Sequence, residues 1–177
     1  MSTKTGISDV KAIRERARRN LEQGAVTEQY GLDRDRAVTF LNEALATEIV
    51  CGLRYRRHHF MANGIEAEGV AAEFLQHAIE EQGHADLLAA RIVQLGGAPD
   101  FHPDRLSSKS HAEYVEGETL QDMIRENLVA ERIAIDSYRD MIGFFGNADP
   151  TTRRMLEGIL SMEEEHADDL ATLLHTK

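Results

Sequence analysis

Residues 79–88 read IEEQGHADLL and residues 162–170 read MEEEHADDL. Each stretch holds one Glu-x-x-His pair, Glu81 with His84 and Glu163 with His166. On a helix, side chains three residues apart lie one above the other on a single face. What matters is whether that face is wet or buried. Stepping outward by alternating fours and threes gives Val70, Phe74, His77, Glu81, His84 and Leu88 around the first pair. Around the second it gives Leu156, Ile159, Glu163, His166, Leu170 and Leu173. Both stripes are largely apolar, and each pair interrupts its stripe near the middle.

Two further segments carry similar stripes. One reads Leu41, Leu45, Glu48, Gly52, Tyr55, His59, and the other Leu120, Ile124, Asn127, Glu131, Ala134, Tyr138, Met141, Phe145. Each has a single carboxylate near its centre, Glu48 or Glu131. Start and stop signals bound the four long helices at about 33–63, 66–96, 117–146 and 150–175. Asp33 caps the first and Asn63-Gly64 ends it; Gly96-Gly97 with Pro99 ends the second. Gly146-Asn147 ends the third, and Asp149-Pro150 opens the fourth. A shorter, basic helix is expected over 8–23, opened by Ser8-Asp9 and closed by Gly24. The turns after the first and third long helices are short and force antiparallel neighbours; the stretch from Gly96 to Gly117 is long enough to cross the bundle. The predicted fold is all-α: a four-helix bundle with a long crossover between its second and third long helices and a short extra N-terminal helix. Residues 1–32 form an N-terminal extension and 33–177 the bundle.

Four carboxylates cannot share one apolar core as anions without cations between them, because each buried charge costs several kcal/mol unless paired. No lysine or arginine occupies these stripes within a turn of the acids. The sequence therefore predicts two metal ions held by Glu48, Glu81, His84, Glu131, Glu163 and His166. An oxygen-rich set with one imidazole per metal suits iron or manganese better than structural zinc. One Glu-x-x-His is common on solvated helix faces. Two, each inside an apolar stripe, with lone glutamates on the other two helices, form the pattern of di-iron bundles. The spacing agrees: Glu48 to Glu81 is 33 residues and Glu131 to Glu163 is 32, as an internal duplication would give.

The bulk properties fit this reading. The chain has 177 residues, 42% of them hydrophobic and 29% charged, with three prolines, which suits one helical domain. The net charge of −11 attracts cations and repels nucleic acid. The exception is residues 11–19, where Lys11, Arg14, Arg16, Arg18 and Arg19 stand against one acid, Glu15. No apolar run approaches the roughly 20 residues of a membrane span. The polar start MSTKTGISDV has no signal core, and Cys51 is the single cysteine, so a cytoplasmic location is expected.

At these residues the sequence resembles the ferritin-like superfamily, and bacterioferritin most closely. The matching text is LNEALATEIVCGLRYRRHHF, IEEQGHAD, LVAERIAIDSYRDMIG and MEEEHADDL, covering about residues 36–175. The resemblance implies that Glu81 and Glu163 bridge two iron ions per subunit, that Glu48 and His84 complete one site, and that Glu131 and His166 complete the other. Tyr55 matches the family's tyrosine beside the centre. The implied activity is ferroxidation, Fe(II) to Fe(III) by O2 or H2O2, with ferric mineral stored in a hollow homo-oligomeric cage. Haem is not expected, because Gln82 stands where bacterioferritins carry the methionine ligand. With eleven residues after His166, the fifth helix of 24-subunit shells is not expected. That form is similar to twelve-subunit, Dps-like cages with a site inside each subunit; 24 subunits stay open. Two alternatives compete: a non-storing, rubrerythrin-like di-iron peroxidase, and a Dps-like DNA-protecting protein using the basic stretch 11–19. DNA binding is not favoured, given the acidic body. Tyr55, Cys51, His77, Asn127 and Tyr138 lie close enough in register to touch the centre, and His58 and His59 are alternative iron contacts. For each, ordinary core packing or surface hydrogen bonding is the competing explanation.

Overall fold

The computed structural model describes residues 9–64 and 67–175; the expected helix starts at Ser8 and at residue 66 lie outside them. Asp33 caps the first long helix as its composition dictates, its side chain accepting from Arg36 N at 3.1 Å. That helix is α2 (Arg34–Met61), after a short α1 (Val10–Arg16). It is followed by α3 (Ala67–Gln94), α4 (Pro103–Lys109), α5 (Leu120–Phe145) and α6 (Pro150–His175). All regular structure among the described residues is helical.

Three local features differ from the sequence reading. The basic N-terminal helix does not run to Gly24; it stops at Arg16, and a separate 3-10 turn occupies Leu21–Gln23. Asn20 adopts φ 51°, a left-handed conformation that asparagine tolerates and that breaks the helical path. The crossover carries a helix of its own, α4, opened by Pro103 in its first turn. And α5 starts at Leu120 rather than 117, because Thr119 and Asp122 form a reciprocal capping box there.

Long helices α2 and α3 pack as one hairpin, and α5 and α6 as the other; narrower contacts join α2 to α5 and α3 to α6. Gly96 ends α3 at φ 80°, which residues with a Cβ seldom adopt. Gly52 lets α2 and α3 approach closely at mid-bundle: a Cβ there would sit 3.4 Å from the Glu81 Cβ. The chain before the bundle is tied to it by buried Val26 and by Tyr30, whose hydroxyl donates to Asp149 at 3.0 Å. Asp149 in turn takes two hydrogen bonds from Arg91 at 2.9 Å and caps α6 through Thr152 N at 2.9 Å. No described helix is long and apolar enough to cross a membrane.

The core has two main apolar layers. One holds Leu41, Leu45, Leu88, Ile92, Met141, Phe145, Leu156 and Ile159. The other holds Tyr55, Val70, Phe74, Ile124 and Leu170. Glu48, Glu81, Glu131 and Glu163 fall between these layers in every stripe, so the fold brings the sequence's six polar interruptions to one level.

Candidate metal centre

All six residues singled out by spacing converge in the bundle core. Glu48, Glu81, His84, Glu131, Glu163 and His166 are buried, none more than 4% exposed. Two overlapping groups have ligand atoms within 4.8 Å of one another: Glu48, Glu81, His84 and Glu163, and Glu81, Glu131, Glu163 and His166. Glu81 and Glu163 are common to both. Each Glu-x-x-His pair belongs to one hairpin, and its glutamate has a ligand atom within 4.8 Å of the lone carboxylates of both hairpins.

The arrangement has too few donors for its acceptors. Glu81 Oε1, Glu131 Oε2, both carboxylate oxygens of Glu163 and His166 Nδ1 are buried without a hydrogen-bond partner. Buried polar atoms are rarely left so, and five together mark a place shaped for cations. His84 Nδ1 lies 2.9 Å from Glu163 Oε1, 3.2 Å from Glu48 Oε2 and 3.6 Å from Glu81 Oε2, and one N–H cannot serve all three. The donor set, four carboxylates and two imidazoles, fits iron or manganese.

Electrostatics record the crowding. Burial, then the charges of Glu163 and Glu48, hold the Glu81 carboxyl well above its usual range. Burial and Glu163 do the same to Glu131, and burial and Glu48 raise Glu163. Burial also acts on Glu48, but hydrogen bonds from Glu81 and His84 outweigh it and leave that carboxyl lowered. Burial opposes a charged His84, yet Glu163 and Glu48 push it up to about 10. Without cations the cluster keeps protons in their place.

Tyrosines and a second carboxylate support the ligand set. Tyr55 donates to Glu131 Oε1 and Tyr138 donates to Glu48 Oε1. Both phenols are held well above their ordinary value by burial and then by the adjacent glutamate. Glu80 accepts from His166 Nε2 at 2.9 Å, which fixes the tautomer that presents Nδ1 to the core. Sequence reasoning missed Glu80, since it lies one residue off the stripe and no spacing singles it out. The equivalent residue in the other hairpin is Met162, so His84 Nε2 has no such acceptor.

His58, not the stripe residue His59, is the buried histidine; it contacts Asn127 Oδ1 at 3.1 Å and the Glu116 carbonyl at 2.9 Å, away from the carboxylates. His59 is half-buried and bonds the Ala71 carbonyl at 2.7 Å. Asn127 reaches Arg54 and His58 rather than Glu131. Cys51 is buried beside Arg54 Nη2 at 3.7 Å, and burial pushes its thiol far up, which leaves it unreactive. Arg54 itself was unexpected: a fully buried cation whose partners are Asn127, Cys51 and the Glu113 carbonyl. His77 lies over His166 with ring centroids 4.0 Å apart and its Nδ1 3.2 Å from Tyr55 Oη. Burial, then His166, lower its pKa to about 4.

The profile of the Ferritin-like domain family matches residues 38–177, and the chain belongs to that family. It is 31% identical over 137 residues to a nutrient stress-induced DNA-binding protein of Synechococcus, covering 76% of this chain and 78% of that protein. It is 28% identical to a bacterioferritin of Rhodobacter capsulatus, covering 77% and 81%. Among solved structures it is similar to a dodecameric thioferritin, the bacterioferritin-related protein of Bacteroides fragilis. That match has a TM-score of 0.78 at 32% identity, covering 81% of this chain and 86% of the other. Dps from Thermosynechococcus elongatus shares the fold, with a TM-score of 0.77 at 21% identity, covering 81% and 92%. An iron-storage, ferritin-like function is the general kind that these relatives support.

Proposed function

We propose that this chain is an iron-storing ferroxidase whose di-iron centre lies inside each subunit and whose subunits assemble into a hollow cage. The observation that carries the reading is the set of five unpartnered, buried ligand atoms among four carboxylates and two imidazoles. In this reading Glu81 and Glu163 bridge, Glu48 and His84 complete one site, and Glu131 and His166 complete the other. Iron held there supplies the redox chemistry, electrons passing from Fe(II) to O2 or H2O2. The chain's own groups do the rest. Glu81, Glu131 and Glu163 yield their protons as cations load, and Glu80 and the two tyrosines orient the ligands. Tyr55 sits where it can give an electron or a proton to the centre through Glu131. The apolar layers above and below keep bulk water from the cluster.

A cage of twelve subunits is the assembly that the Bacteroides relative's dodecamer favours. Light scattering on the purified protein should report about twelve subunits; a monomer or dimer removes the storage reading. Replacing Glu81 by Ala should abolish rapid Fe(II) oxidation in the assembled protein, and an unchanged rate would refute the ligand assignment. A second reading, DNA protection, has one observation in its favour: α1 and the residues after it present Lys11, Arg14, Arg16, Arg18 and Arg19, most of them exposed. Absence of duplex retardation at moderate salt removes it.

A further inference from the structure

A second group of ligating side chains lies outside the six just described, in the groove between α3 and α6. The cavity there has a volume of about 170 Å³, and its walls include Glu73, His77, Glu80 and Asp169 but no lysine or arginine. His77 forms its floor and is 1% exposed, while the Glu73 and Asp169 side chains are 39% and 49% exposed at its mouth. The site is therefore open to solvent and closed behind.

Hydrogen-bond polarity fixes which way His77 faces. Tyr55 has one proton, and its contact with Glu131 takes it. The phenol oxygen then accepts from His77 Nδ1, 3.2 Å away. In that tautomer Nε2 carries a lone pair. It points at Glu73 Oε1, 3.3 Å away, and Asp169 Oδ2, 3.9 Å away, which are acceptors too. Glu80, a further acid of the wall beside Glu165, is already engaged by Gln76 Nε2 at 2.6 Å and by His166. Three acceptors converge, and the one proton they can share is that which burial and the neighbouring Asp169 favour on the Glu73 carboxyl.

A cation resolves that arrangement. Two ligand atoms each roughly 2.1 Å from one ion stand about 3.0–3.4 Å apart at tetrahedral or octahedral angles. The His77–Glu73 separation already lies in that range, and Asp169, on the rim, has about half an ångström to close. We propose that Glu73, His77 Nε2 and Asp169 form a third divalent-cation site, one that takes a first-row transition ion with water filling its open positions. The site goes beyond the di-iron reading and uses none of its six ligands, although its imidazole stacks on that of His166. Fe(II) is the natural occupant in an iron-handling protein, and Co(II) is its spectroscopic probe.

Anaerobic titration of the assembled protein with Co(II), followed by visible absorption and equilibrium dialysis, tests this. The double variant Glu73→Gln, Asp169→Asn changes only partly exposed side chains to near-isosteric amides, so folding and assembly are retained. It should bind one Co(II) fewer per chain than the native protein. The variant Glu81→Ala, Glu163→Ala should keep that outer ion and lose it only when the amide substitutions are added. Equal binding by the native protein and the amide variant overturns the third site, whatever the inner variant does. Unchanged binding by the inner variant alone refutes the di-iron centre instead, so the two failures are distinguishable.

Discussion

Tyr138, on α5, donates its phenol proton to Glu48, a carboxylate of the other hairpin. Tyr55, on α2, donates to Glu131 in return. Each tyrosine lies seven residues after the lone glutamate of its own helix, so the two hairpins exchange equivalent bonds across the bundle. The duplication visible in ligand spacing extends to the groups around the ligands.

Each phenol should therefore be worth a similar amount. Tyr138→Phe removes only the hydroxyl and leaves Glu48 Oε1 buried without its donor. The metal-free protein should lose about 1–3 kcal/mol of stability, and Tyr55→Phe should lose a similar amount. Urea unfolding of the metal-free variants at one protein concentration measures both. A change within error of zero for either contradicts the exchange.

The crowded acids make the metal-free protein sensitive to alkali. Glu81 and Glu131 are raised well above 4.5 by burial and then by Glu163, and His84 is pushed from 6.5 up to about 10. Above pH 6.5 these groups bind more protons folded than unfolded, so their stabilising contribution declines as pH rises from 6.5 towards 10. His77 and His58, lowered first of all by burial, act with the opposite sign but only below 6.5. Scanning calorimetry of metal-free protein should show the Tm falling across that window. With Co(II) bound, the cation's added stabilisation should grow with pH, because fewer protons compete for its ligands. A metal-free Tm that climbs over the same range contradicts the account.

Arg54 ties the crossover to the bundle. Its Nε donates to Asn127 at 2.9 Å and its Nη1 to the Glu113 carbonyl at 2.8 Å, while His58 and Arg57 hold the Glu116 carbonyl nearby. Arg54→Ala strands buried acceptors and should cost about 3 kcal/mol. Limited proteolysis should then cut residues 110–118 much faster than in the native protein. Unchanged cleavage there would mean that the crossover is held by other contacts.

Much of this is legible in the amino-acid sequence, for a physical reason. Apolar stripes with a period near 3.6 place Leu41, Phe74, Ile124 and Leu156 inward, and a carboxylate on such a stripe can only be buried. The ligand residues announce themselves by breaking a pattern. Arg54 does not, because it sits in RYRRHH, where a basic residue reads as part of a solvated face. Glu80 is hidden likewise, as one of two adjacent glutamates of which only Glu81 is on the stripe. The choice of His58 over His59 turns on a one-residue rotation at the end of a long helix, where stepping by fours and threes drifts. Helix α4 is short, and its pattern is lost in a polar crossover. The separation of α1 from the 3-10 turn is equally hidden, since Asn20 turns left-handed ahead of Leu21, a conformation that asparagine can take but does not advertise.

The central claim is that two cations sit between the four carboxylates. Crystals soaked anaerobically in Fe(II), with diffraction measured on both sides of the iron absorption edge, test it most directly. The account predicts two anomalous peaks per chain inside the bundle. One should lie among Glu48, Glu81, His84 and Glu163, and the other among Glu81, Glu131, Glu163 and His166. A bundle interior without anomalous density, in crystals whose surfaces carry iron, would contradict it.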